Sequence, residues 1–115
     1  MEKTVNIGNI EVLMKVNANT PRLYREEFGR DLIIDLKKFM SHIDKQGRIN
    51  GEFDFSTIEN MAFIMQKQAN GCKTIDEFLD QFEGIDDLYE AMADIIGLWN
   101  LSKKNTSEAK KKENE

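Results

Sequence analysis

The segment that decides the fold spans residues 20–40 and reads T-P-R-L-Y-R-E-E-F-G-R-D-L-I-I-D-L-K-K-F-M. Thr20 can cap the free amide groups at a helix start, and Pro21 loses nothing at a first helical position. The pattern predicts a short helix over residues 21–29 that Gly29 ends. The apolar side chains on one side of this helix are Leu23, Tyr24 and Phe28.

A second helix is predicted over residues 31–43, directly after that glycine. Asp31 is its expected N-cap, because a carboxylate can accept a hydrogen bond from an unpaired amide of the first turn. The apolar residues recur at helical spacing and form a stripe wide enough to face a core. They are Leu32, Leu36, Phe39, Met40 and Ile43.

Residues 1–19, which precede this segment, alternate in a different period. The runs V-N-I and I-E-V-L-M-K-V place apolar residues at alternate positions, and Gly8-Asn9 between them favours a tight turn. The pattern predicts a β-hairpin over about residues 4–17. Leu13 interrupts the polar face of the hairpin, which indicates that this face is partly covered.

Three more helices are predicted after a turn-rich connection over residues 44–55. Ser56 with Glu59, and Thr74 with Glu77, match the capping box, in which a hydroxyl and a carboxylate each satisfy an unpaired backbone amide. The predicted spans and their apolar stripes are 57–70 (Ile58, Met61, Ala62, Met65, Ala69), 75–83 (Ile75, Phe78, Leu79, Phe82) and 85–100 (Leu88, Tyr89, Met92, Ile96, Trp99).

Composition bounds the architecture to one domain. The chain has 115 residues, of which 40% are hydrophobic, with one proline and seven glycines, and these values favour helices over a loop-rich fold. We expect an α+β fold, mainly α, in which residues 1–101 form a single globular domain. It consists of an N-terminal β-hairpin followed by four to five amphipathic helices around one core. Residues 102–115 are expected to be a disordered, lysine-rich tail.

The expected compartment is the cytoplasm. No apolar run approaches the ~20 residues of a membrane helix, and the sequence has no basic-then-apolar start of the signal-peptide kind. Cys72 is the only cysteine and cannot form an internal disulfide, which agrees with a reducing compartment.

Charge divides the chain into unlike parts. The net charge is −5, but five lysines and three glutamates lie in residues 102–115, so residues 1–101 carry 11 basic and 18 acidic groups. The acids that follow Lys73 in this body are unaccompanied by any cation: Asp76, Glu77, Asp80, Glu83, Asp86, Asp87, Glu90 and Asp94. Such a face repels nucleic acid and can steer the association of protein partners.

The sequence carries no catalytic, cofactor or metal signature. A calcium-binding loop counted from Asp44 would place Arg48 at the fifth position, where an oxygen ligand is needed, so a structural turn is expected. His42 is the only histidine, and no nucleophile context surrounds it. Cys72, next to Lys73, is expected to be a half-buried filler. We therefore expect a protein that is not an enzyme and uses no cofactor or metal.

The segment T-P-R-L-Y-R-E-E-F-G-R-D-L-I-I-D-L resembles the tail assembly chaperones of long-tailed phages and prophages of Gram-positive bacteria. In those proteins an N-terminal strand pair leads into a similar segment. Later pieces agree in order: A-F-I-M-Q-K-Q-A, T-I-D-E-F-L-D-Q-F, and L-Y-E-A-M-A-D-I-I-G-L-W-N-L with a Lys/Ser/Thr-rich end. The likeness covers nearly all of residues 1–101, and its motifs include no catalytic residue.

The resemblance implies a non-enzymatic factor that binds the tape measure protein, keeps its hydrophobic helices soluble and helps tail tube subunits polymerise around it. Such factors act in the bacterial host and are absent from the mature virion. A homo-oligomer is compatible with this role. Many are made in two lengths by a ribosomal frameshift, and the lysines at 103–104 and 110–112 are compatible with A-rich slippery codons. Candidate interaction residues, which a core would need equally, are Tyr24, Phe28, Leu88, Tyr89 and Met92.

Two other classes of function stay open from the residues alone. One is a small nucleic-acid-binding or other phage regulatory adaptor, although acids are interleaved with the cations it would use. Its basic face would comprise Arg22, Arg25, Arg30 and Lys37. The other class is a hydrolase, for which the sequence offers no nucleophile–base pair.

Overall fold

The computed structural model describes residues 1–46, 48–51, 54–69 and 71–99. This part of the chain contains a two-stranded antiparallel hairpin and six helices, which confirms the predicted α+β, mainly α fold. The predicted tail over residues 102–115 lies outside the described residues. The elements are β1 (Glu2–Ile7), β2 (Ile10–Lys15), α1 (Thr20–Phe28), α2 (Leu32–Met40), α3 (Ser56–Gln68), α4 (Ile75–Leu79), α5 (Asp87–Glu90) and α6 (residues 92–99).

The hairpin follows the alternation in the sequence. Ile7 lies opposite Ile10 across the Gly8-Asn9 turn, and Gly8 has a positive φ of 61° that favours glycine. One face of the hairpin is buried and carries Val5, Ile7, Val12 and Met14. The prediction that the other face of the hairpin is partly covered is wrong. Leu13 is 44% exposed on that face, because the described helices pack on the opposite face.

The start of α1 differs from the predicted one. The N-cap residue is Asn19, while Thr20 is already helical and fully buried. The Thr20 hydroxyl accepts a hydrogen bond from the Asn17 amide at 2.9 Å and donates to the Gln68 side chain at 2.6 Å. Thr20 therefore ties α1 to the end of α3, which is a long-range contact that local sequence does not reveal.

The junction between α1 and α2 is formed as predicted. Gly29 ends α1 in the left-handed region, with φ 65°, where other residues are strained. Asp31 then caps α2 by accepting a hydrogen bond from the Ile34 amide at 2.9 Å. However, α2 ends at Met40 rather than at residue 43, because Ile43 leaves the helix to form an isolated β-bridge with Ile49.

Helix α3 lies at the centre of the core and contacts β2, α1, α2 and α4. The predicted capping role of Ser56 is wrong, since Ser56 is the first helical residue and Phe55 precedes it without a side-chain cap. The Asp54 carboxylate instead accepts hydrogen bonds from the Ser56 amide and hydroxyl. Buried residues of α3 are Thr57, Ile58, Met61, Ala62, Phe63, Ile64 and Met65.

The later helices are shorter than predicted. Thr74 caps α4 as expected, with the Glu77 amide donating to its hydroxyl at 3.1 Å. Helix α4 ends at Leu79 rather than at residue 83, because after the Asp80 amide, which bonds to the Asp76 carbonyl, the amides of Gln81 and Phe82 bond three residues back instead of four. The single helix predicted over 85–100 is two helices, α5 and α6, separated by a turn at Ala91.

Asp87 joins the start of α5 to the tip of the hairpin. Its carboxylate accepts a hydrogen bond from the Gly84 amide at 3.0 Å and lies against Gly8. A Cβ atom added at Gly8 would come within 2.6 Å of the Asp87 carboxylate oxygen. The first and last thirds of the domain therefore meet at this point.

None of the described helices has the length and apolar character needed to cross a bilayer.

Candidate protein-interaction surfaces

A polar cluster with a buried phenol and a buried carboxylate joins α1 to α2. The Tyr24 hydroxyl donates a hydrogen bond to the Asp35 carboxylate at 2.9 Å. Arg30 donates to both oxygens of the same carboxylate, from Nε at 2.8 Å and from Nη2 at 2.9 Å. Tyr24 is fully buried and Asp35 is 6% exposed, so the carboxylate is held by three hydrogen bonds away from water. We refer to these three residues as the corner cluster.

The corner cluster shifts the titration of its members in opposite directions. Hydrogen bonding to Arg30 is the main cause that lowers the pKa of Asp35, against the effect of burial. The pKa of Tyr24 is raised well above its ordinary value, first by burial and then by the hydrogen bond to Asp35. The carboxylate is therefore ionised and the phenol neutral at neutral pH, which suits a structural ion pair rather than proton transfer.

Asp35 was not among the residues predicted from the sequence, although its position in α2 carries a signal. Asp35 lies three residues after Leu32 and four before Phe39, so it occupies the apolar stripe of α2 that faces the core. A carboxylate at a core position needs a charged or hydrogen-bonding partner. Arg30 is five residues away and lies before the helix, so helical spacing does not point to it as that partner.

The structure separates the five predicted interaction residues. Tyr24 and Leu88 are buried, so of the two positions that the sequence left open for them, core or interface, they occupy the core, where Tyr24 is also held by the corner cluster. Phe28 is half-buried, with its ring 5.0 Å from that of Tyr24, and Met92 is also half-buried. Tyr89 is 47% exposed and is the one of the five that solvent reaches freely.

The described part of the chain has two exposed apolar surfaces, and Tyr89 is the one apolar residue of these surfaces that was a candidate from the sequence. The α2 patch consists of Ile33, Ile34, Lys37 and Lys38, with Ile34 64% exposed and both lysines exposed. The α5 patch consists of Ile85, Asp86, Tyr89 and Glu90, with Ile85 fully exposed. In each patch large apolar groups stand beside charges of one sign. The isoleucines of both patches lie off the predicted apolar stripes, and this position was the signal in the sequence that they face away from the core.

A cavity of about 450 Å³ borders the corner cluster. Its acids are already engaged, since Asp35 accepts from Arg30 and Asp54 accepts from Ser56. Lys38, which also belongs to the α2 patch, brings an exposed ammonium to the rim. The lining residues are Arg30, Asp35, Lys38, Phe39, His42, Asp54 and Thr57. The cavity is therefore of mixed charge and continuous with the α2 patch.

The cations of the predicted nucleic-acid face are partly engaged with acids. Arg22 forms an ion pair with Glu26 at 3.1 Å along α1, and Arg30 belongs to the corner cluster. Arg25 and Lys37 are exposed. Two of the four predicted cations thus have their charge offset by a neighbouring carboxylate, which weakens their attraction for phosphate.

The remaining candidates for chemistry have local structural roles. The ring of His42 donates from Nδ1 to the Asn50 carbonyl at 2.9 Å, and Asp44 accepts from the Gln46 and Arg48 amides to close the predicted turn. Cys72 is half-buried, as expected, and burial raises the pKa of its thiol. Across the described ranges, no three His, Cys, Asp or Glu side chains are grouped to hold a metal ion.

The fold and surface together define a small α+β domain with a central helix, a corner cluster and two charged apolar patches. Comparisons with protein-family models, with curated proteins and with solved structures found no match. The likeness to tail assembly chaperones therefore rests on the motifs quoted above and stays a prediction.

Proposed function

We propose that this chain is a non-enzymatic tail assembly chaperone of a long-tailed phage or prophage, which binds the tape measure protein and supports polymerisation of the tail tube. It would act in the cytoplasm of the bacterial host and leave before the virion is complete. The proposal is supported by the sequence resemblance and by an α+β fold of the kind that the resemblance implies.

The observation that carries the proposal is the position of the resembling segment in the fold. Four residues of the segment form the corner between α1 and α2. Tyr24 provides a buried phenol, and Gly29 ends α1 in the left-handed region. Arg30 donates to the ion pair, and Asp31 caps α2. Residues that shape a corner are the ones that relatives with a common fold are expected to share. These four residues of the segment determine the fold, while Ile33 and Ile34, which belong to the same segment, are exposed to a partner.

The α2 patch has the chemistry to bind an amphipathic helix of the tape measure protein. Helix recognition places apolar side chains of the partner on an apolar surface, with charges around the rim. Ile33 and Ile34 offer such a surface, and Lys37 and Lys38 provide cations beside it. An acidic flank on the partner helix would therefore favour this patch, and a basic flank would favour the α5 patch.

Co-expression tests the proposal. The tape measure protein from the same genome is produced with this chain, with the Ile34→Glu variant or with the Leu13→Glu variant, and its soluble fraction is measured. Leu13 is a matched control, because it is an exposed aliphatic residue on the far face of the hairpin. We expect the wild-type chain and Leu13→Glu to keep the partner soluble and Ile34→Glu to fail. Equal solubility with and without the wild-type chain would refute the function.

The gene neighbourhood provides an independent check. A tail tube gene before this one and a very long coiled-coil gene after it are expected if the proposal is correct. A slippery heptamer followed by an overlapping reading frame would support a longer form of this chain made by ribosomal frameshifting. Finding neither would exclude the frameshifted form and leave the proposed chaperone function untouched.

A further inference from the structure

The outer edge of β1 presents backbone groups that have no partner among the described residues. Met1 and Val16 exchange two hydrogen bonds, at 2.8 and 2.9 Å, and bonded pairs alternate along an antiparallel ladder. The amides and carbonyls of residues 3, 5 and 7 therefore face β2. Those of Glu2, Thr4 and Asn6 point away from β2, and no described residue hydrogen-bonds to them.

This edge lacks two of the usual protections against pairing, a proline and a bulge. Proteins block exposed edges with prolines, bulges, charged side chains or covering segments, because free amides and carbonyls are a template for another strand. Lys3 is such a charged side chain, so a further strand on this edge has to offer Lys3 a favourable partner. The six residues of β1 pair in continuous register with β2, without a bulge, and include no proline. An open edge of this kind is suited to accept a further strand.

A groove of about 300 Å³ runs beside the edge and provides room for side chains of such a strand. On the far side of the groove α6 presents the small residues Ala93 and Gly97, and a Cβ added at Gly97 would meet nothing within 4 Å. The groove also carries two exposed charges, Lys3 and Asp94, and neither has an ion-pair partner in the described part of the chain.

We propose that β1 pairs antiparallel with β1 of a second copy, so that two hairpins form one four-stranded sheet. A two-fold axis at Thr4 places the two Thr4 residues opposite each other and sets Glu2 opposite Asn6 of the second copy. The outward backbone groups of both copies are then satisfied by the same pairing, as an isologous interface requires. No like charges stand directly opposite on the new pair of strands.

Charge complementarity identifies a second copy as the occupant. In this register Lys3 of the second copy lies opposite Val5, and both Val5 and Asp94 line the groove. The unpaired ammonium of one copy thus comes to the unpaired carboxylate of the other, and the symmetry produces this contact twice. An unrelated extended segment would need its own cation at this position, whereas β1 already carries one.

The interface is small, so the dimer forms by a concentration-dependent equilibrium. Six residues of strand and one face of a helix bury less than the roughly 1,200 Å² at the lower limit of stable complexes. We expect monomers at low concentration and dimers at higher concentration, in the micromolar range or above. This self-association holds whether or not the chain binds a tape measure protein.

Sedimentation velocity over a concentration series tests the pairing, with Thr4→Pro as the variant and Thr4→Val as its control. The Thr4 amide points away from β2, so proline at this position preserves the hairpin but removes the donor to the second copy. We expect Thr4→Val to dimerise like the wild type and Thr4→Pro to dissociate about tenfold more readily or further. Circular dichroism and thermal melting confirm that both variants are folded.

Two further variants make the test independent of proline. Gly97→Met fills the groove and should weaken the dimer, while Gly97→Ala should not. Lys3→Glu should weaken it through repulsion by Asp94, and adding Asp94→Lys should restore it. A wild-type chain that stays monomeric throughout the series overturns the proposal. A dimer that persists unchanged in Thr4→Pro and Gly97→Met overturns it equally, because such a dimer uses another surface.

Discussion

Replacing Tyr24 with phenylalanine removes one hydroxyl from the protein interior and leaves the ring in place. That hydroxyl is fully buried and donates to the ionised Asp35 carboxylate at 2.9 Å. Hydrogen bonds to charged groups contribute about 1.5–3 kcal/mol, and the two Arg30 bonds remain to satisfy the carboxylate. We therefore expect Tyr24→Phe to lower the free energy of unfolding by about 2 kcal/mol, or the melting temperature by about 10 °C.

Urea denaturation monitored by circular dichroism measures this loss. The midpoint should fall while the slope of the free energy against urea stays constant, because the surface exposed on unfolding is unchanged. Tyr89→Phe is the matched control, since the same atom is removed from a ring that is 47% exposed. Its free energy of unfolding should stay within about 0.5 kcal/mol of the wild type.

The reasoning is refuted if Tyr24→Phe is as stable as Tyr89→Phe. That result would mean that the hydroxyl contributes nothing to the stability of the fold. If the Tyr24→Phe variant also failed to bind the tape measure protein, the result would support a role for Tyr24 in the interface, as the sequence allowed.

Three further predictions concern pH, backbone and charge. Arg30 holds the pKa of Asp35 below its ordinary value of 3.8, so the stability this carboxylate contributes is complete above that value and is lost as the pH falls through the lowered pKa. The difference in melting temperature between the wild type and Asp35→Asn should therefore narrow below about pH 4, and a constant gap would contradict this. Gly29→Ala should cost about 1–2 kcal/mol in chemical denaturation, from φ alone, since nothing lies within 4 Å of an added Cβ; no loss would exclude the left-handed conformation. In a low-salt gel shift, DNA should not be retarded by the chain, and clear retardation would revive the regulatory alternative.

The elements of the fold were readable because their signals are local. Alternation over Ile10, Val12 and Met14 placed the hairpin, and the side chains of Asp31 and Thr74 accept the capping hydrogen bonds that their types predict. Such signals depend on residues within one turn or one strand pair. They correctly fixed which segments are strands and which are helices.

Element ends and capping roles were less predictable where another side chain competes. Thr20 has a hydroxyl suited to capping, but it donates its hydrogen bond to Gln68, which is 48 residues away and not visible in the local pattern. Ser56 bonds to Asp54, so the helix begins one residue earlier than a capping role for Ser56 would require. This competitor is only two residues away, and the capping-box pattern does not take it into account.

The candidate surface was the least predictable part. Tyr24 and Tyr89 each lie on an apolar stripe in the sequence, yet one is fully buried and the other 47% exposed. Which stripe faces the core depends on how the helices pack, and single-sequence periodicity does not contain that information. The exposed Ile34 and Ile85 were recognisable as off-stripe residues, but their exposure needed the packed structure.

The meeting of Gly8 with Asp87 has a consequence for synthesis on the ribosome. Among the described elements, the hairpin leaves the exit tunnel before the helices, and α5 and α6, which complete its core, are synthesised after the others. At 5–20 residues per second, roughly 5–20 s separate translation of residue 7 from that of residue 99. A domain of this size folds much faster than that once all of its parts are present. The speed of the ribosome, rather than the folding barrier, therefore sets when the apolar face of the hairpin is finally enclosed.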